Sequence, residues 1–535
     1  MAYRAEKPTE ESIARFVSVY EQVLAQSVQK WTRNDTFFHQ TFSVWPNHKT
    51  REAIHTPISK SRVLQPLKTQ FSNEVRYSRE PVGRAEDAEE WADLVENWLN
   101  LMAATLAMEE NVSPYKSLVR QTLTYGKGVG EGLRWRTSPD TKEPEQAADE
   151  DDDQYEARMA AWEYDQQHFF PFKASVVHPN FFLANPYERN PSECVVRKSL
   201  RGYEIEQLVS SKQSMKRRYP NSAAILSLDV DSFDPGKDWN TLHDIEEHWN
   251  AGWHCLKLKS GRLIYREANR LGYVPYRQYY SGNGGEMGER STVDPVDMAQ
   301  GMYDGLEDLL RTIDQQASAT NYMLVRKAFA SVVFKNRGDN ATKDATTIAH
   351  GDTIYGASPD DVGVIPYPDV TSDFFTQQQV HERMLTMGSF PEGILGQKQP
   401  GVDTGILNAQ LTEAMNRIFD GEAQAQGDLA KWHGESALKL VDYYGEPVTI
   451  GTLTLEKKHI GHVYDVTAKF PNVDIATKVI ESAKNERLPT HGELDPDDTA
   501  LPQFLGQRAD VHADPVLKEE LMRRALQQAR AEEAP

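Results

Sequence analysis

The stretch TSDFFTQQQVHERMLTMGSFPEGILGQKQPGVDTG, residues 371–405, sets the architecture. Thr371 or Ser372 can accept hydrogen bonds from the first free backbone N–H groups of a helix, and Pro391 cannot extend one, so the pattern predicts a helix over Thr371–Ser389. From Gly393 to Gly405 four glycines and one proline turn the backbone sharply and break helical continuity. The loop therefore separates two helices. C-terminal to it, Ile406–Tyr444 resumes helical spacing through Leu407, Leu411, Met415, Ile418, Leu429, Trp432, Leu438 and Val441, with Gly421, Gly427 and Gly434 as points for a kink.

N-terminal to the quoted stretch, Asn336–Val370 carries Gly, Asp, Asn and Pro at short intervals, with Ile354, Val362, Val364 and Ile365 suited to brief strands, so a small compact excursion is expected. Further upstream, Val296–Phe334 places Met302, Leu306, Leu309, Ile313, Val325, Phe329 and Val332 mostly at three- and four-residue steps, one buried stripe along a helix. At 1.5 Å per residue that helix would run about 58 Å, more than an ordinary globular helix needs to cover its own core. A long core or coiled-coil helix is the plainer reading, which Asn321 and the small residues Ala317, Ser318 and Ala319 weaken.

Elsewhere, HDIEEHWNAGWHCLKLKSGRLIYREANRLGYVPYRQYY, His243–Tyr280, alternates apolar and polar residues around AG and SGR turns and reads as antiparallel strands. The chain has 535 residues, enough for about three or four domains. Its two cysteines, Cys194 and Cys255, fit a reduced intracellular setting and not a disulfide-stapled secreted protein. No signal-peptide pattern opens the chain and no apolar run reaches about 18 residues, so cytosolic manufacture without a membrane span is expected. The acidic run ADEDDDQYE, Ala148–Glu156, repels itself, and residues 137–154 are expected to form a mobile loop; a docking surface for basic segments is the alternative.

Enzyme-like fragments fail on chemistry. TYGKGVGEGLRW, Thr124–Trp135, is glycine-rich but follows a helix and leads toward a strand, the reverse of a phosphate-binding loop, so it reads as a helix-ending turn. GQKQPGVDT has P-loop glycine spacing, yet Val402 and Asp403 stand where a lysine and a hydroxyl residue would hold phosphate and magnesium. His243 and His248 fall on opposite faces of a strand, so with His254 they read as partly exposed strand histidines and not as a metal site. No nucleophile elbow occurs and neither cysteine carries an activation signature. No catalysis and no cofactor are expected.

The order of elements resembles the portal protein of tailed bacteriophages, the ring through which DNA enters and leaves the capsid. MGSFPEGILG at Met387–Gly396 resembles the family's passage from second stem helix into tunnel loop. SVVHPNFFLANPYE (Ser175–Glu188) followed by YEIEQLVSSK resembles its strand, Pro-rich turn and polar helix, and NERLPTHGELDPDD with ADPVLKEELMRRALQQ resembles the end of a portal chain. The likeness spans roughly residues 85–525, each phrase being of low specificity alone.

What the resemblance implies is a mixed α+β portal fold with long stem and wing helices and small β modules, assembling as a ring of about twelve subunits. Residues 1–290 would be the N-terminal part of the wing, 291–335 the first stem helix, 336–370 the clip and 371–391 the second stem helix. Residues 392–405 would be the tunnel loop, 406–445 the long wing helix and 446–535 a C-terminal wing or crown region. It also implies that the ring docks the terminase large subunit at the clip, with Asp352, Tyr355, Asp360 and Asp361 as docking candidates, passes double-stranded genomic DNA, and later joins the head–tail adaptor. The wing would meet the major capsid protein and scaffold, the protein would reside at the virion's portal vertex, and its synthesis would be in the host bacterial cytoplasm.

The net charge of −21 argues against a high-affinity DNA binder, since such proteins present basic patches to phosphates. Summed over about twelve copies it approaches about −250, and an acidic wall would discourage DNA from sticking; solubility alone explains the acidity equally well. Against that background Gln397, Lys398 and Gln399 in the tunnel loop, and Lys335, Arg337 and Lys343 at the stem–clip junction, are the DNA-facing candidates; ordinary solvated loop charge is the plainer reading for each cation. Two rivals stand beside the portal reading: another ring-forming connector or scaffold-like virion protein, and a nucleic-acid-processing enzyme.

Overall fold

A computed structural model describes residues 6–45, 53–71, 74–82, 87–136, 146, 151–218, 228–231, 233, 239–269, 271–284, 294–328, 332–334, 362–364, 372–387, 419–445 and 447–470. The N-terminal elements are α1 (Glu10–His39), α2 (Ile58–Thr69), β1 (Arg76–Ser78), α3 (Ala88–Glu109), α4 (Pro114–Tyr125), β2 (Lys127–Glu131) and β3 (Arg134–Trp135). Then come α5 (Asp152–His168), β4 (Phe172–Lys173), β5 (Val176–Val177), β6 (Phe182–Ala184), β7 (Glu193–Arg201), α6 (Gly202–Arg218) and β8 (Asp229–Val230). They are followed by β9 (Leu242–Asn250), β10 (Trp253–Leu258), β11 (Leu263–Ala268), β12 (Tyr276–Tyr280), α7 (Pro295–Met298), α8 (Glu307–Ala328), β13 (Val332–Phe334), β14 (Val362–Val364) and α9 (Ser372–Met387). The last are α10 (Asp420–Tyr444), β15 (Val448–Ile450), β16 (Leu453–Leu455), α11 (Lys457–Ile460) and β17 (Thr467–Lys469).

The chain divides into two compact units, fewer than its length suggests: one of residues 1–34, 63–302 and 392–535, the other of residues 35–62 and 303–391. The second unit therefore takes residues 35–62 from the segment expected to be wholly N-terminal wing.

In the first unit the expected antiparallel strands form a six-stranded sheet of order β6-β7-β9-β10-β11-β8. Side chains alternate across it, so each face needs its own cover. Ile13, Val17, Leu24 and Trp31 of α1 pack with Val195 and Cys255. Ile205 and Val209 of α6 pack with Ile245, Leu256, Ile264 and Tyr265. A smaller sheet of order β12-β2-β5 adjoins α4. Helix α4 ends at Gly126, whose φ of 71° is the left-handed conformation glycine adopts without a Cβ penalty, and the chain turns straight into β2. The glycine-rich Thr124–Trp135 segment is thus a helix-ending turn, as its sequence predicts.

The helical core joins Trp98, Leu99, Met102 and Leu106 of α3 to Leu429, Ala430, Leu438 and Val441 of α10. Trp98 Nε1 donates to Val448 O at 3.0 Å, satisfying the one polar atom of a fully buried indole. Helix α10 runs without interruption through Gly427 and Gly434. Gly434 serves another purpose: a Cβ would sit 2.7 Å from the Tyr77 ring, whose hydroxyl donates to Ala430 O at 2.9 Å.

Three expectations need correction. The continuous helix over Val296–Phe334 is a single turn, α7, then the longer α8, then strand β13. Gly305 sits at φ 81° between the two helices, and β-branched Val332 and Val333 fit a strand better than a helix. The acidic segment expected to be mobile to residue 154 instead opens α5 at Asp152, because the Asp151 side chain accepts from Gln154 N at 2.8 Å and the acidic first turn suits the helix N-terminus. His248 and His254 are 0% and 8% exposed, where partly exposed histidines were expected. The helix expected over Thr371–Ser389 is close to its predicted bounds, and the one expected over Ile406–Tyr444 is described from Asp420 onward.

Candidate functional site

In the second unit α8 leads into β13, β14 pairs antiparallel with β13 (Val332 with Val364, Phe334 with Val362), and the chain returns through α9. The His381 Nδ1 to Gln316 Oε1 contact of 3.0 Å ties the outgoing helix to the returning one. The result is a helical hairpin closed by a short β ladder, with residues 335–361 connecting the ladder's strands.

The base of the hairpin is locked by polar bonds that the apolar pattern did not signal. The Asp314 carboxylate accepts from Thr56 N (3.0 Å), Thr56 Oγ1 (2.6 Å) and His55 Nδ1 (3.2 Å). Ser318 Oγ accepts from Ile54 N at 2.8 Å. Phe37 stacks with Phe42 and Tyr303 at ring separations of 4.5 and 5.9 Å, and the Tyr303 hydroxyl donates to Ser59 O at 2.9 Å. Residues 35–62 are joined to 303–318 by partners too distant in sequence for local patterning to pair.

Farther along, the helices leave large apolar side chains uncovered. Tyr322 (57%), Leu324 (52%) and Val325 (45%) are exposed on α8, and Phe375 (51%), Val380 (43%) and Met384 (52%) on α9. Tyr322 with Val325, and Val380 with Met384, are at the three- and four-residue spacings that share a helix face. Ile313 of the expected stripe is buried and Leu309 half-buried, whereas Val325 is exposed.

The candidates Lys335, Arg337 and Lys343, the docking candidates Asp352, Tyr355, Asp360 and Asp361, and Gln397, Lys398 and Gln399 lie outside the described residues. Of the segment expected to form a clip, Val362–Val364 are described; the whole segment expected to form a tunnel loop, 392–405, lies outside.

The densest cluster of ionisable groups is in the first unit, on the six-stranded sheet. Glu247 accepts from Arg134 (3.0 Å), Lys198 (2.5 Å) and His254 Nε2 (3.1 Å). His254 Nδ1 meets Glu267 Oε1 at 3.1 Å, and Glu267 accepts from Lys212 Nζ at 2.6 Å. Arg134 also pairs with Glu131 and donates to the Tyr276 hydroxyl. Burial alone would push the Glu247 carboxyl up, but Arg134, Lys198 and the His254 hydrogen bond outweigh it and hold that carboxyl well below the usual range. On the opposite face Lys257 pairs with Glu246 at 2.7 Å, and His248 Nε2 meets Glu193 at 2.6 Å. Carboxylates thus answer His248 and His254, whereas His243 Nε2 is buried with no hydrogen-bond partner among the described residues; among the described residues no group of three or more His, Cys, Asp or Glu side chains is placed to hold a metal ion. Cys194 and Cys255 are free and buried, and burial pushes both thiols up, Cys255 to about 12, which disfavours the nucleophilic thiolate. Among the described residues no helix is long and apolar enough to cross a membrane.

No protein-family model and no curated protein sequence matches this chain.

Proposed function

We propose that this chain is a portal-protein subunit of a tailed bacteriophage, forming a ring of about twelve copies at one capsid vertex through which genomic DNA is packaged and released. The observation that carries the reading is the second unit's hairpin: a helix out, a β ladder, a helix back, with apolar side chains exposed along both legs. A single chain gains nothing from exposing Tyr322, Val325, Val380 and Met384, whereas helices side by side in a ring would bury such faces. In this reading α8 and α9 line the channel, residues 335–361 dock the terminase and later the head–tail adaptor, and the first unit packs against capsid protein and neighbouring subunits. Sequence-independent passage of DNA needs only backbone contacts, for which Lys398 and the junction cations Lys335, Arg337 and Lys343 are the proposed groups. The role is mechanical, and ATP hydrolysis belongs to the docked motor.

Negative-stain imaging of the purified protein, classified in top views, tests this. Rings of about twelve subunits around a central hole are expected; monodisperse monomers that stay monomeric when coexpressed with the phage's own capsid and scaffold proteins would overturn the reading.

A further inference from the structure

Strand β2 opens with a lysine, Lys127, that has no acceptor for its protons among the described residues. Lys127 is 1% exposed, and its Nζ has no hydrogen-bond partner among the described residues. The amine lies 5.2 Å from the ring centre of Trp31 and 5.8 Å from those of Phe182 and Tyr280. The three rings come from α1, β6 and β12, all in the first unit. The polar tips of two are engaged elsewhere: Trp31 Nε1 donates to Tyr125 O and the Tyr280 hydroxyl to Pro186 O.

Lys127 also adjoins a backbone clamp. It follows Gly126, where a Cβ would collide with the backbone of Ala299 and Gln300. Residues 299–302 are held there by Lys30 Nζ donating to Ala299 O (2.8 Å), Ser281 Oγ donating to Gln300 O (2.8 Å) and Met302 N donating to Leu123 O (2.7 Å).

The charged and titratable groups on the elements around the amine are committed to other partners. Lys30 on α1 bonds the Val296 and Ala299 carbonyls. His178, after β5, meets the Tyr125 hydroxyl at 2.8 Å. Glu131, at the far end of β2, accepts from Ser175 N and the Tyr276 hydroxyl and pairs with Arg134. A carboxylate partner for Nζ is missing among the described residues, so a proton on it would gain ring contacts and lose all hydration.

We propose that Lys127 and its three rings form a proton-linked latch, closing α1 and the 299–302 segment onto β2 when the amine is neutral and loosening them when it takes up a proton. The direction follows from burial, which lowers Lys127 from its ordinary 10.5 to about 7 in the closed form. An opening that wets the amine restores the ordinary value and takes up a proton. Raising the pH from about 7 to 10.5 therefore strengthens the latch, by up to about tenfold in the closing equilibrium per pH unit. Below about 7 both forms are protonated and the dependence levels off.

Hydrogen–deuterium exchange of the full chain, corrected for intrinsic exchange rates and run from pH 7 to about 9.5, reads the latch through peptides covering residues 123–128 and 296–302. Protection is expected to rise severalfold or more per pH unit in the wild type and to be independent of pH in Lys127→Met; equal slopes in the two proteins would overturn the latch. A second readout needs no stable variant: in the wild type labelled with 13Cε-lysine, one resonance is expected to titrate near 7, and a full set of lysine resonances with ordinary midpoints would refute the proposal.

Discussion

In the six-stranded sheet of the first unit, Glu246, Glu247 and His254 are buried and each meets an ionisable partner within 3.1 Å. In the helix pair of the second unit, Tyr322, Leu324, Phe375 and Met384 are each more than half exposed. One region hides charge that water would solvate well; the other shows water apolar surface that burial would stabilise, by about 25 cal/mol per Å². The contrast teaches where each region finds its complement. The sheet finds it within the chain, and under the portal reading the hairpin finds it on neighbouring subunits.

Three changes probe that contrast. Glu247→Ala removes the acceptor shared by buried His254 and half-buried Arg134 and Lys198, and stranding those donors should cost about 3 kcal/mol or more in urea unfolding. A cost below about 1 kcal/mol would mean that the cluster behaves as an exposed one.

Glu422 sharpens the comparison from the other side, since it is a first-unit carboxylate left without its complement. It is 0% exposed, neither oxygen has a partner among the described residues, and burial pushes it up to about 7. Its folded-state value lies above the ordinary 4.5, so its stabilising contribution is full below about 4.5 and is lost as pH rises through about 7. Glu422→Gln should flatten the stability profile over that window and raise stability at neutral pH by roughly 3 kcal/mol; an unchanged profile would show that the carboxylate finds a partner.

The smallest effect on stability belongs to the hairpin. Tyr322→Ser with Val325→Ser should alter unfolding of the isolated chain by no more than about 1 kcal/mol, because both side chains are about half exposed. The same pair should sharply reduce ring formation in sedimentation, and intact rings would assign those faces no role in assembly.

Much of the local architecture was legible. Pro391 and the Thr371–Ser372 cap predict the helix now described as Ser372–Met387, and Gly126 predicts the end of α4. Where the reading failed, local and tertiary signals had diverged. Val325 lies on the apolar stripe of α8, yet periodicity reports only which face is apolar, not what covers it. His248 and His254 carry no sequence mark of burial, because the carboxylates that make burial tolerable, Glu193, Glu247 and Glu267, come from neighbouring strands. Asp314 was passed over entirely, since its partners His55 and Thr56 lie more than 250 residues away.

The sequence by itself determined the properties carried by neighbouring residues: the ends of helices at caps, glycines and prolines, the alternation that makes His243–Tyr280 strands, and the absence from its glycine-rich segments of the side chains that hold a nucleotide. Only the tertiary structure decided which buried charges are answered and which, like Lys127 and Glu422, have no partner among the described residues, and that residues 35–62 belong with 303–391. The reason is the range of the interactions: capping and backbone preference act within a few residues, while the desolvation of a charge or the cover of an apolar face depends on whatever the fold brings beside it.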